Sequence, residues 1–384
     1  MKSNPDVIII GAGVIGVSTA LQLTSAGLKV LILDRGGVAS GTTSAGEGNI
    51  LVSDKEPGPE LDLALRSRNG WFEIDEAIGG GFELEAKGGV VVARTEAGAS
   101  GLLRLTTDQR QHGITAHDIS GGELHELEPH LSQSITVGTY YPQDAQCQPM
   151  LAAAQMLRSV KNRGGEFISG ATVTAILVRG DRVSGVETNR GSFSAPVVIN
   201  AAGTWAGQIA ELAGSYLPIA PRRGFILVSV PTRPLIFHKV YDADYVANVA
   251  SDNSDLQTSA VVEGTKSGTI LIGASRERVG FNTDIDFSVL RILARQAIAL
   301  FPILADIQLL RAYRGFRPYA PDHLPVIGED PLIKGFWHNA GHEGAGIGLA
   351  PGSAQLLTDG IMGNKSFMNP AAFSPARFTR ELAH

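Results

Sequence analysis

Three glycines and one aspartate near the start of the chain have the spacing of a dinucleotide-binding site. Gly11, Gly13 and Gly16 follow a short apolar run, and Asp34 stands eighteen positions after the last glycine. In such a site the first glycine permits a tight turn, the second lets the backbone approach a pyrophosphate, and the third lets a helix pack closely on the strand. The carboxylate accepts hydrogen bonds from the adenosine ribose. These residues therefore predict a bound dinucleotide, either FAD or a nicotinamide.

The neighbouring segments predict the elements that would position these residues. Residues 7–10 form a continuous apolar run, as expected for a parallel strand buried on both faces. A helix is predicted over 14–26, with Gly27 ending it, and a second strand over 29–33. An ordinary glycine-containing turn would account for the glycines alone. It does not account for strand, helix and strand in this order, so the dinucleotide site is the favoured interpretation.

Length and composition set outer limits on the fold and its partners. A chain of 384 residues exceeds the roughly 250–300 at which single cores stop growing, so two domains are expected. The net charge of -6, without a basic block, argues against a nucleic-acid partner. The single cysteine, Cys147, excludes an intrachain disulfide and fits a reducing compartment. No apolar run is long enough to span a bilayer, so a cytoplasmic protein is expected, free or docked on a membrane partner.

The segment that follows the predicted ribose ligand is rich in glycine and small hydroxyl-bearing residues. Its backbone amides and hydroxyls can wrap a polar ligand, although a flexible surface loop would look similar. Glu47 is the only charged residue in 36–51; if it is buried beside a cofactor, it needs a cationic partner such as a substrate amine or guanidinium. Otherwise it is solvated. The cofactor contacts predicted from this segment are Arg35, Thr42, Thr43 and Gly48.

Later segments suggest that the nucleotide-binding unit is interrupted and then resumes. The apolar run before Ala202, Gly203 and Trp205 repeats the opening pattern, a buried strand that turns sharply beside a ligand. Val173 begins a predicted strand whose backbone could recognise adenine. Periodicity predicts helices over 61–78, 102–112, 121–131, 150–163 and 287–300, and strands over 88–94, 166–169, 173–178, 182–188, 225–230 and 269–274.

Four ordered motifs resemble a known family across essentially the whole chain. They read DVIIIGAGVIG, VVINAAGTWAG, RGFRPYAPDHLPVIG and HNAGHEGAGIGLAPGSAQLL. Together they resemble the FAD-dependent D-amino acid oxidase, glycine oxidase and sarcosine oxidase superfamily. The wording GHEGAGIG, with TILIGASRERVGF, is most similar to β subunits of heteromeric bacterial dehydrogenases: opine oxidases, D-hydroxyproline and proline dehydrogenases, and hydrogen cyanide synthase.

The resemblance implies a fold with two interleaved domains. The expected class is α/β: a discontinuous Rossmann-like FAD-binding domain, plus an α+β substrate domain with a mixed, largely antiparallel sheet. The FAD-binding domain would comprise 1–85, 143–220 and 314–384. The substrate domain would comprise 86–142 and 221–313.

The same resemblance assigns a flavin-facing role to the glycine-rich loop 341–348. Pro351, Gly352 and Ser353 would cap a last helix over 354–361, whose N-terminus stabilises negative charge on reduced flavin. His342 would position flavin or substrate, with a structural role as the alternative. A metal site made from His338 and the following His-Glu pair is disfavoured, because so many glycines make the required helix improbable. The loop's predicted cofactor contacts are Gly341, Gly344, Gly346 and Ile347.

Arg317 is the residue that the resemblance assigns to the substrate carboxylate. It stands in the sequence Gly-Phe-Arg-Pro, and a planar guanidinium binds a carboxylate through two parallel hydrogen bonds. A surface salt bridge is the alternative. Tyr241 or Tyr245 would supply a substrate-contacting hydroxyl or serve as ordinary packing. Gly315 stands about where monomeric sarcosine oxidases carry a flavin-linking cysteine, so FAD is expected to be bound non-covalently.

The reaction implied is oxidation of a C–N bond in an amino acid or secondary amine, with hydride transfer to flavin. As a heteromeric β subunit, the chain would pass electrons to an α chain, through FMN at a subunit interface and an iron–sulfur chain. One alternative is a stand-alone glycine, sarcosine or D-amino acid oxidase that produces hydrogen peroxide. The other is a flavin-binding scaffold subunit without catalysis of its own.

Overall fold

Two large sheets organise the chain in a computed structural model that describes residues 4–243 and 254–378. Tyr245 therefore lies outside the described residues. The strands are β1 (Val7–Ile10), β2 (Val30–Asp34), β3 (Asn49–Ile50), β4 (Gly89–Ala93), β5 (His117–Ser120), β6 (Val137–Tyr141), β7 (Ala145–Gln146), β8 (Glu166–Ser169), β9 (Val173–Arg179), β10 (Arg182–Thr188), β11 (Gly191–Ser194), β12 (Val197–Asn200), β13 (Ala220–Ser229), β14 (Lys239–Asp242), β15 (Gln257–Gly264), β16 (Ile270–Arg276), β17 (Leu309–Tyr319), β18 (Val326–Glu329) and β19 (Phe336–Ala340).

The helices account for most of the remaining regular structure. They are α1 (Val14–Ser25), α2 (Pro59–Ile78), α3 (Glu96–Gln111), α4 (Gly121–Leu127), α5 (Pro149–Asn162), α6 (Ala206–Glu211), α7 (Phe287–Leu300) and α8 (Gly346–Met362). α7 has the bounds predicted from periodicity, and the Asp286 side chain caps it by accepting a hydrogen bond from the Ser288 amide. α3 begins six residues earlier than predicted, because Thr95 caps its first turn by accepting from the Gly98 amide. Within the described residues, none of these helices is long and apolar enough to cross a membrane.

The first sheet has the order β18-β19-β12-β1-β2-β8. Its strands are parallel, except that β18 runs antiparallel to β19 at the edge. β1 lies in the interior, with β2 on one side and β12 on the other, so the connections diverge at its carboxyl end. Such a point is where open α/β sheets bind ligands. α1 packs against α5 and α8, and Gly16, the third glycine of the opening motif, allows close contact with the turn that follows β1.

The second sheet has the order β17-β13-β16-β15-β14-β4-β6-β5. Neighbouring strands are antiparallel, except that β4 and β14 are parallel. α7 packs on one face of this sheet over an apolar core. The predicted α/β class and the mixed, largely antiparallel second sheet are confirmed.

One predicted domain boundary falls inside a strand of the second sheet. β17 pairs with β13 along its whole length, from Leu309 opposite Ser229 to Tyr319 opposite Ala220. The second sheet therefore extends past the predicted boundary between 313 and 314 to residue 319. The division into two interleaved domains remains a prediction.

The last helix begins earlier than the sequence predicts. The prediction of a helix over 354–361 capped by Pro351, Gly352 and Ser353 is wrong, because α8 begins at Gly346 and contains the proline. Proline has no N–H to donate to the carbonyl four residues earlier. Here the Trp71 indole donates to that carbonyl, Ile347 O, at 2.9 Å, and the next amide, Gly352 N, donates to the Ser67 hydroxyl at 3.1 Å. Side chains of α2 thus replace bonds that the proline disrupts.

We expect Trp71→Phe to destabilise the protein by about 1–3 kcal/mol beyond the loss of ring area, because it leaves the buried Ile347 carbonyl without its donor. Urea denaturation measures this free energy of unfolding. Trp337→Phe is the control, since its indole packs against Gly360 near the other end of α8. Equal losses in the two variants would contradict the proposed role of the indole N–H.

Candidate functional site

A cavity of about 430 Å³ opens where the carboxyl edge of the first sheet meets β13 and β17 of the second. We call it the central cavity. The sequence-predicted site residues line it, with four exceptions: Gly16, Gly48, Gly341 and Tyr241. Elements far apart in sequence thus converge on one space, from the opening glycine motif to the last helix.

Each of the three glycines of the opening motif has a different structural role. Gly11 adopts a φ of 112°, and a Cβ there would lie 2.4 Å from the Ala201 carbonyl oxygen. A Cβ on Gly16 would lie 2.0 Å from the Gly11 oxygen, so this glycine serves helix–strand packing rather than the cavity wall. Gly13 lines the cavity and is the N-cap of α1, without a side-chain cap of its own. The N-terminus of α1 therefore faces the cavity, and its first amide, Val14 N, donates to the Thr43 hydroxyl at 3.0 Å.

Asp34 ends β2 at the cavity wall with its carboxylate already oriented. One oxygen accepts a hydrogen bond from the Ala12 amide and the other from the Gly36 amide, each at 2.7 Å. A carboxylate has about four acceptor positions, so both oxygens retain capacity for ribose hydroxyls. This geometry suits the predicted ribose contact.

Arg35 lines the cavity in a stacked position. Its guanidinium carbon lies 3.9 Å from the centroid of the Trp205 ring, which also lines the cavity. The predicted cofactor contact of Arg35 is therefore accompanied by a cation–π contact that the sequence did not indicate.

The second helix N-terminus at the cavity belongs to α8. Gly344, Gly346 and Ile347 line the wall there. Gly341 instead forms the turn after β19, with a φ of 76°, and a Cβ there would lie 2.9 Å from Ile219 Cδ1. Gly48 does not line the wall either. It packs against the backbone of Cys147, where a Cβ would lie 1.8 Å from the carbonyl oxygen.

His342 lines the cavity as a neutral imidazole. Its Nε2 forms a 3.0 Å hydrogen bond with the Ser353 hydroxyl, and burial lowers the pKa of His342 to about 3. It can therefore position a neighbour but does not carry a charge at neutral pH. His338 lies elsewhere, with its Nε2 2.9 Å from an Asp330 carboxylate oxygen. In the part of the chain that the structure describes, no group of three metal-ligating side chains occurs.

Arg317 enters the cavity from β17. Its Nη1 donates to the Ser275 carbonyl at 2.8 Å, and the guanidinium passes over Gly224 of β13. A Cβ on Gly224 would lie 2.2 Å from Nη1, so glycine is required there. Sequence reasoning missed Gly224, although a glycine inside a strand often marks such a close approach.

Glu47 has a cationic partner inside the protein. Its Oε2 lies 3.2 Å from Lys239 Nζ and accepts a hydrogen bond from Asn49 Nδ2 at 3.0 Å. Lys239 also pairs with Glu263 at 2.8 Å. Burial raises the pKa of the Glu47 carboxyl, against the opposing effect of Lys239. The cationic partner that a buried Glu47 needs is therefore Lys239 in this structure, so a substrate cation is not required for that purpose.

Tyr241 does not reach the central cavity. It is fully buried behind the wall, and its hydroxyl donates to Ser53 Oγ at 2.7 Å. The predicted contact with substrate is thus corrected in favour of packing with a satisfied hydroxyl. Other wall residues had no sequence signal, because nothing in their local pattern indicates which face they occupy: Asn49, Thr172, Gln208, Ile226 and Asn339.

Comparisons with known proteins agree with this geometry. The profile of the DAO family, described as FAD dependent oxidoreductase, matches residues 6–360. Glycine oxidase from Pseudomonas aeruginosa is 29% identical over 96% of this chain and 98% of that protein. Hydrogen cyanide synthase subunit HcnC from the same organism is 27% identical over 100% and 98%. The crystal structure of glycine oxidase from Geobacillus kaustophilus has a TM-score of 0.89 at 26% identity, covering 98% of this chain and 99% of that one.

The geometry of the cavity also fits FAD, independently of these similarities. Two helix N-termini, those of α1 and α8, face it, and each favours negative charge at its own end of the site. Asp34 lies beside the first, where the adenosine ribose would be held. The chain therefore belongs to the DAO family of FAD dependent oxidoreductases, and FAD is its cofactor.

Proposed function

We propose that this enzyme oxidises the C–N bond of an amino acid or a secondary amine. The observation that carries the proposal is the position of Arg317, which comes from the second sheet but lines the same cavity as the FAD-binding residues. A guanidinium there gives a carboxylate-bearing substrate a fixed place. The names of the similar proteins, glycine oxidase among them, support an amine-bearing carboxylate as the substrate class.

The contacts of Arg317 determine how it would hold a substrate. The bond to the Ser275 carbonyl and the close packing over Gly224 restrict the plane of the guanidinium. Two of its five N–H donors can then bind both oxygens of a carboxylate in one orientation. A substrate held in one orientation keeps its reacting carbon in a fixed position relative to the flavin. Such positioning accounts for a large part of the rate enhancement available to an enzyme.

Bound FAD supplies the two-electron acceptor for this oxidation. The chain supplies orientation through Arg317 and positive electrostatic potential through the N-terminus of α8. His342 forms a wall without adding charge, since its imidazole is neutral. We propose that the cavity accepts the substrate amine in its neutral form, so that no dedicated base is needed.

We further propose that the chain is the catalytic β subunit of a heteromeric dehydrogenase. The alignment with hydrogen cyanide synthase subunit HcnC over the full chain supports this assembly. Electrons would then leave through FMN or an iron–sulfur centre in partner chains. A stand-alone oxidase is the second candidate, favoured by the alignment with glycine oxidase. Hydrogen peroxide released by the isolated chain in a one-to-one ratio with oxidised substrate would establish the second candidate and exclude the first.

We expect Arg317→Ala to slow anaerobic flavin reduction by amino acids by about 100-fold or more at low substrate concentration, because the charged hydrogen bonds to the carboxylate are lost. Stopped-flow bleaching with glycine, sarcosine, D-amino acids, hydroxyproline and opines measures this rate. Arg317→Lys should recover only part of it, since an ammonium is not bidentate.

Arg311→Ala is the matched control, because Arg311 lies on the same strand, exposed, and stacks on Tyr313. Its flavin reduction should equal that of the wild type. Unchanged reduction in Arg317→Ala would remove the carboxylate assignment. If no amine on the panel bleaches wild-type flavin, the proposed reaction itself is wrong and a scaffold role gains support.

We expect acid denaturation to release FAD from the protein, because no covalent bond holds it. Cys147 is buried away from the cavity wall, and a Cβ on Gly315 would lie 2.6 Å from the Ala45 carbonyl oxygen, so that position has no room for a linking side chain. Yellow supernatant and a protein mass equal to that of the bare chain are the predicted results. A mass increased by that of FAD would contradict non-covalent binding.

A further inference from the structure

Three stacked groups connect the two sheets at the rim of the central cavity. The Arg35 guanidinium lies over one face of the Trp205 ring, and Phe281 lies against Trp205 at 5.6 Å with an interplanar angle of 7°. Phe281 also makes an edge contact with Phe316, at 5.4 Å. Arg35 and Trp205 follow strands of the first sheet, whereas Phe281 follows a strand of the second.

Trp205 is held on the side that faces the cavity. A Cβ on Gly41 would lie 3.4 Å from the Trp205 ring, so the glycine-rich segment lies alongside one edge of the indole. Arg35 is adjacent to Asp34, the proposed ribose ligand. The stack therefore begins beside the proposed ribose ligand and reaches β17 through Phe316.

The loop that carries Phe281 is anchored by a buried arginine. Arg223 of β13 is 5% exposed, and its Nε donates to Glu277 at 2.8 Å. Its Nη1 donates to the Asn282 side chain and to the Asp284 carbonyl, each at 3.0 Å. These bonds hold both sides of Phe281. Such an anchor is costly to bury unless its donors are satisfied, so the loop has a defined position.

We propose that residues 277–284 form a clamp on bound FAD, in which Phe281 keeps Trp205 against the cofactor. Phe281 does not line the cavity, so it is a positioning residue that acts through Trp205. Retention of the cofactor then depends on the second sheet as well as on the nucleotide-binding sheet. This inference extends beyond the proposed function, because it concerns FAD itself and holds for any substrate.

The test is titration of apoprotein with FAD, followed by quenching of flavin fluorescence and by the FAD dissociation rate. Phe281→Ala removes the stacked ring and should raise the dissociation constant about tenfold, the size of effect expected for an aromatic pair. Phe281→Tyr keeps the ring and should bind within about twofold of wild type. Phe287→Ala is the control, since Phe287 is 69% exposed and six residues further along; its affinity should not change.

Arg223→Met tests the anchor independently and should raise the FAD dissociation rate in the same direction as Phe281→Ala. Melting of each apoprotein separates the clamp from a general structural role. A lower melting temperature with wild-type FAD affinity in Phe281→Ala would overturn the proposal. If Phe281→Ala does not fold, Phe281→Leu decides by the same titration, with unchanged affinity again overturning it. None of these readouts depends on turnover, so the proposal can fail while the proposed reaction stands.

Discussion

The site depends on backbone contact between the glycine-rich segment 41–48 and β17. Thr42 donates from its hydroxyl to the Phe316 carbonyl at 2.7 Å, and the Tyr313 hydroxyl donates to the Gly46 carbonyl at 3.1 Å. Between these bonds lies Gly315, where a side chain would collide with the Ala45 backbone. Because the two segments approach this closely, Arg317 is brought from the second sheet to the FAD cavity of the first. Function here is therefore a property of the junction between sheets.

At the junction of the two sheets, positive groups face the cavity and carboxylates are paired within the protein. Positive potential facing the cavity comes from helix N-termini and from arginine, while the carboxylates near it form ion pairs with cationic side chains of the protein. Lys239 forms ion pairs with Glu47 and Glu263, and Arg222 pairs with Glu343 at 3.3 Å. His342 adds no charge. The cavity is thus suited to anionic groups at both ends, and we propose that these are the pyrophosphate near α1 and the substrate carboxylate near Arg317.

Local sequence patterns correctly predicted those features of the fold that depend on neighbouring residues in the chain. The glycine motif, Asp34 and the bounds of α7 follow from turn geometry, strand ends and helical periodicity. The start of α8 did not follow, because the proline inside it is tolerated only through Trp71 and Ser67, which are hundreds of positions away. The partner of Glu47 and the place of Tyr241 depended in the same way on strands that meet only in the folded chain.

The most direct test of the account is a crystal structure of the FAD-loaded protein with a non-oxidisable carboxylate ligand. We expect two N–H···O hydrogen bonds from the Arg317 guanidinium to the carboxylate, with the ligand between Arg317 and the flavin. A carboxylate bound elsewhere in the cavity, with Arg317 turned away from it, would contradict the central claim that the junction of the two sheets forms the substrate site.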